Sequence, residues 1–148
     1  MKILVLNGPN LNLLGDREVS IYGDMTLAQI KDYTVNALKS YPVDMEWKQS
    51  NHEGEIIDII HSIRNSDHDA LIINPGAFSH TSIAIMDALR SVAKPLVEVH
   101  LSNTSAREEY RRTKLTAQAV ESIIEGLGKD VYLVASLALL IKKGHWHG

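Results

Sequence analysis

The feature that most limits how this chain can fold is a series of short, unbroken apolar runs, each met by a turn and alternating with helical repeats. Ile3–Leu6 runs into Asn7-Gly8-Pro9, Ala70–Ile73 runs into Asn74-Pro75-Gly76, and Leu96–His100 follows directly on Pro95. Strands that are apolar on both faces belong in parallel sheets covered by helices on two sides. The strands are predicted at Lys2–Asn7, Ala70–Ile73 and Leu96–His100, with a weaker one at Val43–Lys48. Met25–Leu38 predicts a helix: Thr26 and Gln29 have capping-box spacing, and Leu27, Ile30, Thr34, Ala37 and Leu38 share a face. Glu53–Arg64 repeats Ile56, Ile57, Ile60 and Ile63 at helical spacing, and Ser82–Val92 is also helical. Arg107–Arg112 reads as a short helical turn. Val120–Glu125 fits either the end of a helix or a strand, stopped by Gly126-Leu127-Gly128, and Asp130–Lys143 predicts a C-terminal helix. The expectation is an α/β fold with about five parallel strands and helices on both faces, as one domain, because 148 residues lie within the usual domain size.

Composition removes several classes of function. The chain has no cysteine, which excludes disulfide scaffolds, thiolate-held zinc, iron–sulfur clusters and cysteine nucleophiles. A net charge of −3 argues against nucleic acid as a partner. The longest apolar run, Val131–Ile141, is interrupted by Ser136 and falls short of a membrane span. No membrane partner and a cytoplasmic location are expected. No P-loop is present, and Gly126-Leu127-Gly128 lacks the third glycine of a dinucleotide fingerprint.

Ligands of open α/β sheets bind beyond the carboxyl ends of the strands. Four polar clusters fall there: Asn7–Asn12, Gln49–Gly54, Asn74–Ser82, and the stretch from Glu98 through His100 to Asn103. Asn and Ser also make turns and helix caps, but four such clusters on one edge point to a ligand site. Residues 8–24 show no regular pattern. Loops of that length are often lids, and this one carries Arg17 and Tyr22. Glu98 and His100 stand two apart on a strand and face the same side. With His80 they could form a metal site, but the favoured reading is a histidine oriented by a carboxylate, since the remaining neighbours are weakly ligating Asn and Ser. His145-Trp146-His147 is read as a tail and not as a metal clip.

With these segments in view, the sequence resembles the type II 3-dehydroquinases. The matching stretches are Asn7–Glu18 (NGPNLNLLGDRE), Ile21–Gly23 (IYG), Gln49–Asp58 (QSNHEGEIID), Ile73–Ser82 (INPGAFSHTS), Asp87–Leu89 (DAL), Glu98–Asn103 (EVHLSN), Ala106–Glu108 (ARE) and Gly126–Gly128 (GLG). They occur in the family's order nearly from end to end.

The resemblance implies a flavodoxin-like fold and loss of water from 3-dehydroquinate to give 3-dehydroshikimate in the shikimate or quinate pathway. The elimination would be anti, through an enolate, with no metal, no cofactor and no imine. Tyr22 matches the general base, Arg17 the lid arginine beside it, and Arg107 a second arginine near the base. His100 matches the acid that protonates the departing hydroxyl, Glu98 its orienting partner, and Asn10 the residue holding a water at the enolate. Asn74, His80, Leu101, Ser102 and Arg111 match substrate-binding positions. Asp87 matches a carboxylate supplied across a subunit contact, in a family that commonly forms dodecamers built from trimers. Four places depart from the family pattern: Val19 for Pro, Phe78 for Tyr, Met86 for Arg, and Thr113-Lys114 for a His/Ser stretch. A free tyrosine is only about 0.1% ionised at neutral pH, so a phenol base needs cations beside it, and Arg17 with Arg107 is the expected pair.

Three rivals make distinct demands. A flavin-binding module needs a Ser/Thr-rich phosphate loop after the first strand, where this chain has Gly8-Pro9-Asn10-Leu11-Asn12. A metal-dependent hydrolase would use His80, Glu98 and His100. A non-catalytic binding or assembly protein would have no use for the proposed base, acid and both arginines.

Overall fold

The apolar runs form the centre of a five-stranded sheet. In the computed structural model, which describes residues 1–144, the strands are β1 (Lys2–Asn7), β2 (Asp44–Gln49), β3 (Ala70–Asn74), β4 (Leu96–His100) and β5 (Ser122–Glu125). Their order is β2-β1-β3-β4-β5, and every neighbouring pair is parallel. This is the flavodoxin-like arrangement expected from the sequence. The His145-Trp146-His147 tail lies outside the described residues.

The helices are α1 (Val19–Tyr22), α2 (Leu27–Ala37), α3 (Glu53–Ile63), α4 (Phe78–Thr81), α5 (Ile83–Arg90) and α6 (Val131–Lys142). The period-two alternation of the strands sorts them into two layers. Ile3, Val5, Ile72, Val97 and Val99 meet Ile30 of α2 and Val131, Tyr132, Ala135 and Leu139 of α6. Leu4, Leu6, Leu71 and Ile73 meet Ile56, Ile60 and Ile63 of α3 and Ile85, Ala88 and Leu89 of α5 on the other face. Each such Ile or Leu, fully buried, contributes about 1.5–3 kcal/mol relative to exposure. The capping box at α2 forms in both directions, with Gln29 N–H donating to Thr26 Oγ1 and Thr26 N–H to Gln29 Oε1. No described helix is long and apolar enough to cross a membrane.

The segment Val120–Glu125, open between a helix end and a strand, resolves as an edge strand, β5, whose Ser122 and Ile123 are exposed; a half-covered edge carries no clean periodicity. Two boundaries differ from the sequence expectation. The segment 8–24 is not wholly irregular: it holds a 3₁₀ turn at Leu11–Leu13 and the single-turn helix α1. A single turn is too short to show a periodic repeat. The helix expected at Ser82–Val92 is preceded by a separate turn, α4, and Ser82 caps α5 by accepting from Ile85 N–H.

Strand β1 lies between β2 and β3, so the chain leaves it in opposite directions along the sheet. The crevice at the carboxyl ends of β1 and β3 is where such sheets take ligands.

Candidate active site

The floor of this crevice is fixed by backbone contacts. Gly8 N–H donates to Asn74 O at 2.7 Å. A Cβ at Gly8 would stand 2.4 Å from Pro75 O, so only glycine permits the two loops to meet. The loop after β2 buttresses the loop after β1. Gln49 Nε2 donates to Gly8 O and to Asn51 Oδ1, and Asn51 Oδ1 also accepts from Asn10 N–H at 2.9 Å. Asn10 itself takes a left-handed backbone, φ 67°, and lines the cleft.

One wall carries the phenol. Tyr22 ends α1, and Arg107 Nη1 donates to its Oη at 2.7 Å. Arg107 also reaches Ser102 Oγ at 3.4 Å. The Arg17 guanidinium lies 4.9 Å from the centre of the Tyr22 ring and pairs with Glu18 at 3.0 Å. Two cations therefore stand beside one phenol, the Arg107 guanidinium lying 5.2 Å from the same ring centre.

The imidazole comes from β4. His100 Nε2 is 2.7 Å from Glu98 Oε1, with both residues buried. A carboxylate oxygen accepts, so Nε2 carries the proton toward Glu98. Nδ1 has no protein partner among the described residues, and His100 lines the cleft. Glu98 is held by two further donors, Ser79 Oγ at 3.0 Å and Thr116 Oγ1 at 2.7 Å. His80 stacks near His100, ring centres 6.4 Å apart. Its Nδ1 is 2.8 Å from Thr113 O and must donate there, which leaves Nε2 as an acceptor. Burial, helped by the nearness of His100 and of the Arg111 and Lys114 charges, holds the His80 imidazole below its ordinary 6.5, against the hydrogen bond to Thr113.

Asn74, Leu101, Ser102 and Arg111 complete the lining. The backbone N–H groups of Leu101 and Ser102 meet no protein acceptor among the described residues. Arg111 Nε is steadied by Glu108 at 3.0 Å. No lysine is among the described lining residues. Nor do any three described His, Asp or Glu side chains gather at metal-binding spacing.

Eleven of the twelve residues singled out from the sequence thus converge, ten of them lining the cleft and Glu98 buried behind His100. The exception is Asp87, which lies exposed on α5, within 3.6 Å of Arg90 and outside the cleft of its own chain. Sequence reasoning missed Ser79 and Thr116 behind Glu98, and Tyr132, which joins Asn7 to Asn74. Lys114 turns out to support the wall. It donates to Thr104 Oγ1 at 2.6 Å and lies 3.4 Å from Glu125. Burial raises the Glu125 carboxyl, but the Thr104 hydrogen bond and the Lys114 charge outweigh this and hold it below its usual range.

Comparison with known proteins converges on one family. The family described as Dehydroquinase class II matches residues 1–140. The chain is 50% identical over 135 residues to the 3-dehydroquinate dehydratase of Thermotoga neapolitana, covering 91% of each chain. It is 46% identical over 142 residues to that of Rhodopseudomonas palustris, covering 96% of this chain and 94% of the relative. The crystal structure of the type II dehydroquinase from Butyrivibrio crossotus superposes with a TM-score of 0.91 at 44% identity, covering 94% of this chain and 97% of that one.

Proposed function

The chain belongs to the class II dehydroquinase family, and on that premise we propose how its cleft removes water from 3-dehydroquinate in the shikimate pathway. One observation carries the reading: a phenol gripped by a guanidinium and an imidazole backed by a carboxylate line the same cleft. An elimination needs one group to take a proton and another to give one, and these are such a pair.

Tyr22, as phenolate, takes the proton from the carbon beside the ketone. The electron pair moves onto the carbonyl oxygen, giving an enolate, with Asn10 holding a water against it. The enolate then collapses, the carbon–oxygen bond to the leaving hydroxyl breaks, and His100 donates the proton that makes it water. The product is the conjugated enone, and exchange with solvent resets both groups. Base and acid act from opposite faces of the substrate ring, which makes the elimination anti.

Arg111 and the free Leu101 and Ser102 amides suit the substrate carboxylate, since a guanidinium and N–H groups together offer several donors to its two oxygens. Asn74 and His80 Nε2 suit its hydroxyls. The segment 8–24 serves as the lid, bringing Tyr22 and Arg17 to the substrate and excluding water on closure. The exposed Asp87 fits a carboxylate lent to a neighbouring copy, in a dodecamer built from trimers.

The test is to mix the protein with 3-dehydroquinate and follow the ultraviolet absorbance of the conjugated enone. Wild type forms it. Tyr22→Phe should lose turnover by roughly 10²–10⁴-fold, the usual contribution of a general base. Enone formation at the wild-type rate by Tyr22→Phe rejects the assignment of the base.

A further inference from the structure

Asn7 and Asn74 are register partners at the carboxyl ends of β1 and β3. Tyr132, the second residue of α6, covers that pair. Its hydroxyl donates to Asn7 Oδ1 at 2.6 Å and accepts from Asn74 Nδ2 at 3.0 Å. The chain of bonds continues at both ends onto the backbone. Asn7 Nδ2 donates to Lys48 O at 3.2 Å, and Asn74 Oδ1 accepts from Gly76 N–H at 3.2 Å. A backbone carbonyl can only accept and a backbone N–H can only donate. The two ends therefore dictate the sense of every bond between them, and with it which way the Asn74 amide faces. All three side chains are buried. Burial also pushes the Tyr132 phenol up, away from ionisation, so the hydroxyl keeps the proton that the chain requires.

We propose that Tyr132 is a positioning residue for the dehydration: through Asn7 and the two backbone ends it locks the Asn74 amide in one orientation, so that the cleft meets a substrate hydroxyl with a fixed donor and acceptor. This rests on the reading of the cleft given above, in which Asn74 touches substrate. Tyr132 touches none. The geometry also explains why a phenol is required. A phenyl ring would fill the same space against Trp47, whose ring centre lies 5.0 Å away, but it would leave Asn74 Nδ2 without its acceptor and the amide held only at Oδ1, by the long bond from Gly76 N–H.

Steady-state kinetics of Tyr132→Phe, Asn74→Ala and the double variant test this, with melting temperatures to show that each is folded. A hydroxyl bond held in ground and transition state alike acts on KM and leaves kcat nearly alone. Tyr132→Phe should raise KM about five- to tenfold, the worth of one neutral hydrogen bond, with kcat within about twofold of wild type. In the Asn74→Ala background the same change should add nothing to KM, as expected of two residues acting as one unit. Asn7→Ala, which frees the Tyr132 hydroxyl to rotate, should raise KM in the same way, and it decides the matter if Tyr132→Phe does not fold. Unchanged KM in folded Tyr132→Phe or Asn7→Ala, or an equal rise in KM with and without Asn74, overturns the proposal. Failure of wild type to act on 3-dehydroquinate would instead strike the reading of the cleft.

Discussion

Arg107 Nη1 donates to the phenolic oxygen of Tyr22 across 2.7 Å, although the two residues stand 85 positions apart in the chain. The guanidinium is permanently charged, so the bond strengthens when the oxygen becomes negative. Arg17 adds a second cation at 4.9 Å from the ring centre. Hydrogen bonds to charged groups contribute about 1.5–3 kcal/mol, or at least about tenfold in rate if realised when the phenolate forms. Arg107→Gln is expected to lower kcat by that factor or more, and Arg17→Gln in the same direction. Stopped-flow or steady-state turnover measures it. Wild-type kcat in both variants would remove the cations from the mechanism.

Glu98 holds three donors at once, Ser79, Thr116 and His100. In Glu98→Gln one of the two oxygens becomes an NH₂ group, which cannot accept. With the NH₂ on the Oε2 side Thr116 loses its acceptor; on the Oε1 side Ser79 and His100 both do, and His100 loses its fixed orientation. Each buried donor left unpaired costs about 1–3 kcal/mol. The variant is expected to melt earlier and to lose turnover more than affinity. Thermal melts and steady-state kinetics check both halves. A shift in melting alone, with turnover intact, would leave Glu98 a purely structural carboxylate.

The fold was legible because its strands are continuous apolar runs and α2 has its cap written in Thr26 and Gln29. Tyr22, Arg17 and His100 drew notice by standing in an irregular loop and at a strand end, but their roles came from the resemblance to the type II 3-dehydroquinases. The supporting groups were not legible. Ser79 reaches Glu98 over 19 positions and Tyr132 reaches Asn7 over 125, contacts that only the packed helices create. One signal was available: Asn7 and Asn74 each stand at the end of an apolar strand run, and a buried amide needs a hydrogen-bond partner. Asp87 marks a different limit: its place at a subunit contact came from the family resemblance alone, and in its own chain it is an exposed carboxylate beside Arg90.

His80 gives a pH dependence whose sign follows from its burial. The folded imidazole is held below 6.5 while the unfolded one titrates near that value. Below about 6.5 the unfolded chain therefore binds the proton more readily, and stability falls as pH drops from there toward the folded value. Protonation also removes the Nε2 acceptor, so KM for the substrate should rise over the same acid range. Replacing His80 by Gln is expected to flatten both trends. Chemical denaturation and KM, each followed from neutral to acidic pH, test it. Equal slopes in wild type and variant would exclude His80 as the source.

No lysine lines the cleft among the described residues, and nearby Lys114 is engaged by Thr104 and Glu125. An imine with the substrate ketone is therefore not expected. Treatment with borohydride in the presence of 3-dehydroquinate should leave activity intact and the mass of the protein unchanged. Inactivation with a substrate-sized mass gain on a lysine would replace the enolate route with a covalent one.

Asp87 stands on α5 with its side chain 65% exposed, and among the described residues it pairs with Arg90 alone, at 3.6 Å. A carboxylate so placed cannot reach its own cleft, but in a closed symmetric assembly the same surface of one copy can meet the cleft of the next. That arrangement makes a specific demand on mixtures. Asp87→Asn alone should be impaired and Tyr22→Phe alone nearly inactive. If the two variants are dissociated together and reassembled, some clefts will combine an intact Tyr22 from one copy with an intact Asp87 from its neighbour. Activity should then exceed the sum of the separate variants. Sedimentation velocity establishes that the assembly exists and that mixed species have formed. Mixed assemblies no more active than the two parents would confine Asp87 to its pair with Arg90 and leave each cleft complete within one chain.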